Sequence, residues 1–136
     1  PLGLRALGAR LHVVQPGKTA WPYHRHQGVD EMFLILEGEG ELRLGDRRLP
    51  ICAGDCIGAH AGGEAHQIIN SSSGVLRYIA FASHGQADVI EYPDSGKIAV
   101  AASRGYDYRP DVFLDIRGRL TPDKGYWDGE DLGEGQ

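Results

Sequence analysis

Three histidines and one glutamate carry the chemistry most legible in this chain. His24 and His26 stand two residues apart, Glu31 follows after four more, and the sequence then runs into the apolar stretch Met32-Phe33-Leu34-Ile35-Leu36. His66 lies further on, three residues separating it from Asn70. Successive side chains on a strand alternate faces, so His24 and His26 point the same way and offer both imidazoles to one ion. Glu31 must return from a short loop to join them. Three neutral imidazoles and one carboxylate suit a divalent transition metal (iron, manganese, nickel, cobalt, copper or zinc) and leave positions for water or substrate.

Other residues have duller readings beside the functional one. His60 is a candidate proton carrier at a pocket mouth, set against a surface loop histidine. Tyr78, in Val75-Leu76-Arg77-Tyr78-Ile79-Ala80-Phe81, is a candidate pocket acid, set against an aromatic core residue. Glu31 itself is a ligand and a candidate base. His12 and His84 default to surface or strand packing, and Arg25, between two inward ligands, should face outward. Cys52 and Cys56 are too few for a disulfide framework and read as reduced, partly buried thiols. The sequon Asn70-Ser71-Ser72 is an accident of composition.

The elements that position these groups are short strands. Alternation and turn residues place strands at 9–15, 21–26, 31–37, 40–44, 47–51, 56–59, 65–71 and 75–82, read as a meander closing into a barrel. Leu44-Gly45-Asp46-Arg47 is a tight hairpin, Ala53-Gly54-Asp55 a turn, and Gly38-Glu39-Gly40 a hairpin turn. In the segment around His66, alternation puts His66, Ile68 and Asn70 on one face. Beyond residue 82 come Asp88-Val89-Ile90-Glu91-Tyr92, the turn Pro93-Asp94-Ser95-Gly96 and Lys97-Ile98-Ala99-Val100. Residues 106–136, with Tyr106, Tyr108, Phe113, Tyr126 and Trp127, are too aromatic for a free tail and are read as an arm packed on the barrel or a partner subunit.

These motifs resemble the cupin superfamily. Its first motif, His-x-His, a spacer, Glu, six residues and Gly, is met by His24-Arg25-His26, Glu31 and Gly38; its second by Gly54-Asp55 through Ala61-Gly62-Gly63-Glu64-Ala65-His66 to Asn70. Ala61 stands where the family usually has Pro, with one extra residue before it, and the opening Gly is displaced to Gly17. Neither departure touches a ligand position. The resemblance implies an all-β double-stranded jelly-roll barrel over residues 9–82, with residues 83–136 as additional strands and the C-terminal aromatic extension. The Tyr-Pro-Asp-Ser-Gly-Lys and Tyr-Trp-Asp-Gly-Glu segments resemble those of stand-alone small cupins without an assigned reaction, some labelled sugar-phosphate isomerases.

Composition narrows the function. At 136 residues the chain is one domain's worth, and its 20 glycines fit many tight turns. Nineteen acidic against 14 basic residues, with no Lys/Arg run, argue against nucleic acid or an anionic membrane as partner. With no apolar run of membrane-spanning length and no signal-peptide pattern, the expected location is cytoplasmic. The expected function is a metal-dependent enzyme on a small-molecule substrate, a dioxygenase or an isomerase of a sugar or sugar-phosphate type. The alternative is a non-catalytic ligand-binding or sensing module. A phosphate would need cations at the pocket, for which Lys18 and Arg77 are the candidates. Exposed strand edges and the aromatic arm favour a homodimer.

Overall fold

A computed structural model of the chain describes residues 4, 6–85, 87–103 and 112–119. The strands are Leu7–Val14 (β1), Arg25–His26 (β2), Glu31–Glu37 (β3), Glu39–Leu44 (β4), Arg47–Cys52 (β5), Cys56–Ala59 (β6), His66–Ile69 (β7), Leu76–Ser83 (β8), Ala87–Tyr92 (β9), Lys97–Ser103 (β10) and Val112–Arg119 (β11). They form sheets ordered β1-β8-β3-β6, β11-β10-β9-β2 and β5-β4-β7. The latter two meet through the bridge of His24, next to β2, with His66 of β7, and Thr19 in the β1–β2 connection bridges Ile69 of β7. The result is two layers, one sheet facing a joined pair, as a jelly roll requires.

Most neighbours within the sheets are not consecutive in sequence, so the expected meander is corrected. Among the described residues only β4-β5, β9-β10 and β10-β11 are sequential neighbours. Elsewhere the chain crosses between layers, and one such crossing is Gly38, expected to sit in a hairpin turn. There β3 leaves one sheet and β4 enters another. Gly38 adopts φ +83°, and a Cβ on it would lie 2.3 Å from the Val75 carbonyl oxygen, so only glycine fits this corner. The Gly45-Asp46 hairpin is as expected, with Gly45 alone at positive φ (+56°), the pattern of a type II′ turn.

The expected strand over 21–26 shrinks to Arg25–His26, because Pro22 has no N–H to give a ladder and the chain pairs again only at His24. Conversely, β11 went unread in the sequence: Asp115, Arg117 and Gly118 break the apolar signal, yet the segment pairs with β10 along its length. It lies inside the segment expected to be an aromatic arm; Tyr106, Tyr108, Tyr126 and Trp127 fall outside the described residues, as does the side chain of Phe113. No helix among the described residues is long and apolar enough to cross a membrane.

The hydrophobic core fills one end of the space between layers. Val14, Phe33, Ile35, Leu76 and Tyr78 come from the β1-β8-β3 side, and Leu42, Ile51 and Ile68 from β4, β5 and β7. Asn70 is fully buried among them. Its Nδ2 donates to the Val14 and Gly74 carbonyls, each at 2.8 Å, and its Oδ1 accepts from the Ser72 N–H and hydroxyl. The Asn of the second motif thus ties β1 to the turn after β7 and presents nothing for glycosylation. Both cysteines are free and exposed rather than partly buried, since Cys52 ends β5 and Cys56 opens β6 on outward positions.

Candidate metal centre

The site forms where the two layers meet beside the core. His24 and His66 are paired residues of an antiparallel bridge, His24 N–H donating to the His66 carbonyl at 3.2 Å and His66 N–H to that of His24 at 2.8 Å. Their side chains therefore share a face, and the ring centroids are 4.8 Å apart. His26, two residues beyond His24, keeps the same face, while Arg25 turns outward to Glu91, its partner across β2 and β9, at 2.6 Å. Glu31, the first residue of β3, reaches in from the opposite layer.

The donors converge on one oxygen. Glu31 Oε2 lies 2.9 Å from His66 Nε2, 3.5 Å from His26 Nε2 and 3.7 Å from His24 Nε2. The donor atoms of His24, His26 and Glu31 all lie within 4.8 Å of one another, a spacing that can hold a metal ion. His66 stands just outside that group, tied instead to the glutamate.

Two of the imidazoles are held from behind. His24 Nδ1 donates to the Pro22 carbonyl at 2.7 Å, and His26 Nδ1 donates to Asp88 Oδ2 at 2.5 Å. A carbonyl and a carboxylate only accept, so both neutral rings carry their hydrogen on Nδ1 and turn the Nε2 lone pair toward Glu31. Lone pairs gathered around a carboxylate oxygen repel unless a cation or protons stand between them, which is why this donor set fits a divalent metal. Among the described residues His66 Nδ1 is buried without a hydrogen-bond partner, so of the three rings this one lacks such an anchor there.

The electrostatics follow from these contacts. Burial lowers the His24 pKa, against the Pro22 hydrogen bond. Burial also opposes the charged form of His26, but the Asp88 hydrogen bond and the charges of Glu31 and Asp88 outweigh it and hold its pKa up. Glu31 is desolvated too, yet the His66 hydrogen bond and the surrounding histidines keep it below the usual carboxylate range. The site thus favours an ionised carboxylate and, at His24, a neutral imidazole, the forms that ligate.

Asp88 is the residue that sequence reasoning missed. It sits on β9, where Asp88, Ile90 and Tyr92 share a face, and its Oδ1 accepts the Gly28 N–H at 2.9 Å while Oδ2 takes His26. A carboxylate on a strand face otherwise made of Ile90 and Tyr92 was the available signal, because a buried charge needs a partner. The other candidates have other partners. His60 is exposed, with Nδ1 on the Ala61 carbonyl at 2.9 Å and its ring over Gly63. Tyr78 is 1% exposed, stacked on His12 at 4.9 Å and edge-on to Phe33 at 6.0 Å, and burial, with the Glu31 charge, raises its phenol far above the ordinary value. Lys18 is exposed, and Arg77 faces outward from β8 near Glu37 at 3.7 Å, so Arg77 does not face the site.

A cavity of about 210 Å³ adjoins the centre, with His26 and Asp88 in its wall and Val29, Ile90, Ala82 and Ala101 lining it. A larger groove of about 510 Å³ carries Arg25, Glu91 and Lys97 but none of the four donors, so the smaller cavity belongs to the site.

Comparison with known proteins places the fold. The chain is similar to a protein from Acidithiobacillus ferrooxidans described provisionally as a sugar phosphate isomerase, at 32% identity over 72% of this chain and 63% of that one, with a TM-score of 0.69. It thus spans less than two thirds of that protein's length. A sugar phosphate isomerase from a cupin superfamily, from Silicibacter pomeroyi, superposes with a TM-score of 0.76 over 90% of this chain and 76% of that one; at 23% identity it shows the fold alone. A predicted oxalate decarboxylase from Thermotoga maritima is 31% identical over 55% of this chain and 64% of that one, with a TM-score of 0.52. No curated protein matches the sequence. The cupin domain model matches residues 10–82, which span both motifs and the donors His24, His26, Glu31 and His66. With more than half its length matched, this chain belongs to the cupin family.

Proposed function

We propose that this cupin is a metal-dependent enzyme acting on a small oxygenated molecule, with His24, His26, Glu31 and His66 as metal ligands. The observation that carries the reading is the convergence of three Nε2 atoms within 3.7 Å of one Glu31 oxygen, two of the rings being anchored through Nδ1. A bound divalent ion supplies Lewis acidity or, in the case of iron, a centre for oxygen chemistry. The chain's own residues do the rest. Asp88 and Pro22 hold the imidazoles in the ligating tautomer. Glu31, ionised and half-enclosed by histidines, would act as the base toward a hydroxyl or carbon acid of a substrate brought to the ion. Val29, Ile90 and Ala101 give the adjoining cavity apolar walls, and its roughly 210 Å³ suits a molecule smaller than most drug-sized ligands.

Isomerisation of a sugar or sugar phosphate is the reaction favoured by the likeness to the Acidithiobacillus protein. Dioxygenase chemistry is the alternative within the same site, and ligand sensing without turnover is the alternative to catalysis. The test loads metal-free protein with each candidate ion and assays oxygen uptake and isomerase activity across diols, keto acids, sugars and sugar phosphates. Turnover that requires the ion and disappears in His66→Ala supports the reading. Tight binding of one of these molecules with no turnover under any ion contradicts it and favours the sensing module.

A further inference from the structure

The inner face of the β1-β8-β3-β6 sheet changes character along its strands. On β8 it carries the large side chains Leu76 and Tyr78 at the core end, then only Ala80 and Ala82 at the end where Glu31 lies. Cross-strand partners share a face, so the register sets Gly8 and Glu31 on either side of Ala82, and Arg10 and Phe33 on either side of Ala80. Arg10 therefore belongs to the face that carries Glu31, and nothing larger than a methyl group stands on β8 between them. Their α-carbons are two strands and two residues apart, a separation of about 12 Å. An arginine side chain and a small molecule on the ion together span that distance.

Three further observations single out Arg10. It is exposed and has no carboxylate partner among the described residues, whereas Arg25, Arg43, Arg47 and Arg48 are each paired with one. On one side of it along the face is His12, whose pKa is lowered by burial and by the Arg10 charge and raised by the Glu31 charge, so both charges are felt at one ring. On its other side Gly8 leaves room for His84: a Cβ at Gly8 would lie 2.8 Å from His84 Nε2. His84 in turn lines the 210 Å³ cavity together with His26 and Asp88. Arg10 thus neighbours the cavity wall across the bare backbone of Gly8.

We propose that Arg10 binds a terminal oxyanion, a phosphate or a carboxylate, on a substrate whose other end meets the metal centre. The guanidinium is a planar fork that matches either group with two parallel hydrogen bonds, and an arginine free of a carboxylate has that fork to offer. The alanines of β8 leave the path from Arg10 to Glu31 open. This deepens the enzymatic reading and rests on it: the small oxygenated substrate becomes an anion, held at one end by the ion and at the other by Arg10.

The test is calorimetric titration of the full chain, loaded in turn with zinc, nickel and manganese, with three hydroxamates that chelate the ion through the same group. Acetohydroxamate carries no anion, phosphoglycolohydroxamate a terminal phosphate and succinic monohydroxamate a terminal carboxylate. At least one of the two anionic probes should bind about 10- to 100-fold more tightly than acetohydroxamate, the scale of a charge-assisted bidentate contact. Arg10→Gln should remove that advantage and leave acetohydroxamate binding unchanged. Arg77→Gln, which removes the same charge from an outward position, should alter neither. The probe that holds the advantage tells phosphate from carboxylate. If acetohydroxamate binds as tightly as both anionic probes, or if folded Arg10→Gln keeps the advantage, the proposal is overturned and the metal centre stands. If no probe binds the loaded chain in an ion-dependent way, the metal reading itself fails and this proposal fails with it.

Discussion

His24 and His66 face each other across a single antiparallel bridge and exchange both main-chain hydrogen bonds, at 3.2 and 2.8 Å. One donor from each motif is thereby fixed by backbone pairing, at a place where the two sheets otherwise have few hydrogen bonds between them. A metal ion held by this pair and by Glu31 on the facing layer would therefore fasten the layers together.

Saturating metal should raise the melting temperature of the wild-type protein and leave His66→Ala nearly unmoved. Ligand at about 100 times its Kd adds about 2.7 kcal/mol of stability, a shift of several degrees for a domain of this size. Scanning calorimetry with and without the ion checks it. An equal shift in His66→Ala would place the ion elsewhere.

Asp88→Asn should weaken metal affinity by about 10- to 100-fold, the usual cost of removing the group behind a ligating histidine. It should also change the pH dependence of the metal-free protein. Asp88 raises the His26 pKa, and a raised histidine pKa contributes stability that is complete below the unfolded value of about 6.5 and is lost as pH rises through the folded value. Asp88 itself is depressed by His26 and the Gly28 N–H despite its burial, so its share is present above about pH 4 and is lost as pH falls through the folded value. The stability gap between wild type and Asp88→Asn is thus widest between about pH 4 and 6.5 and narrower at pH 8. Urea melts at pH 5.5 and 8 that give the same gap would contradict the assignment.

The clustering of His24, His26, Glu31 and His66 and the barrel were legible because each rests on local rules. Two-residue spacing puts His24 and His26 on one face, and the alternation His66, Ile68, Asn70 gave the buried face of β7 as found. Strand order was not legible, because which strands become neighbours is decided by packing between layers rather than by any short window. Gly38 marks that limit: its type announced a turn, but not that the turn passes between sheets. Asp88 was missed because its partner lies 62 residues away in sequence, and β11 because its charges hid its alternation.

Glu31→Gln should fold and still take up metal less tightly through the three histidines, with turnover per bound ion reduced by on the order of 100-fold or more, the scale of a positioned general base. Activity normalised to metal content decides this. Turnover per ion equal to wild type would make Glu31 a holder of the ion only.

Gly38→Ala should destabilise the fold by more than about 2 kcal/mol, since the new methyl meets the Val75 carbonyl oxygen and φ is +83°. Gly54→Ala, at φ +96° with open space around it, pays only the backbone term and should cost about 1 kcal/mol. Denaturant melts of the two variants compare them directly. Equal costs would show that the close approach at Gly38 carries no penalty.

Metal content is the most direct test of the central claim. The untagged protein and its His24→Ala, His26→Ala and His66→Ala variants are analysed for bound transition metals after dialysis at pH 7.5, each also titrated calorimetrically with iron, manganese, zinc and nickel. The account predicts close to one ion per wild-type chain and a loss of affinity of at least about 100-fold in every variant, because no described side chain stands ready to replace a missing donor. Stoichiometric metal retained by all three variants, or a wild-type chain that binds none of these ions, would contradict it.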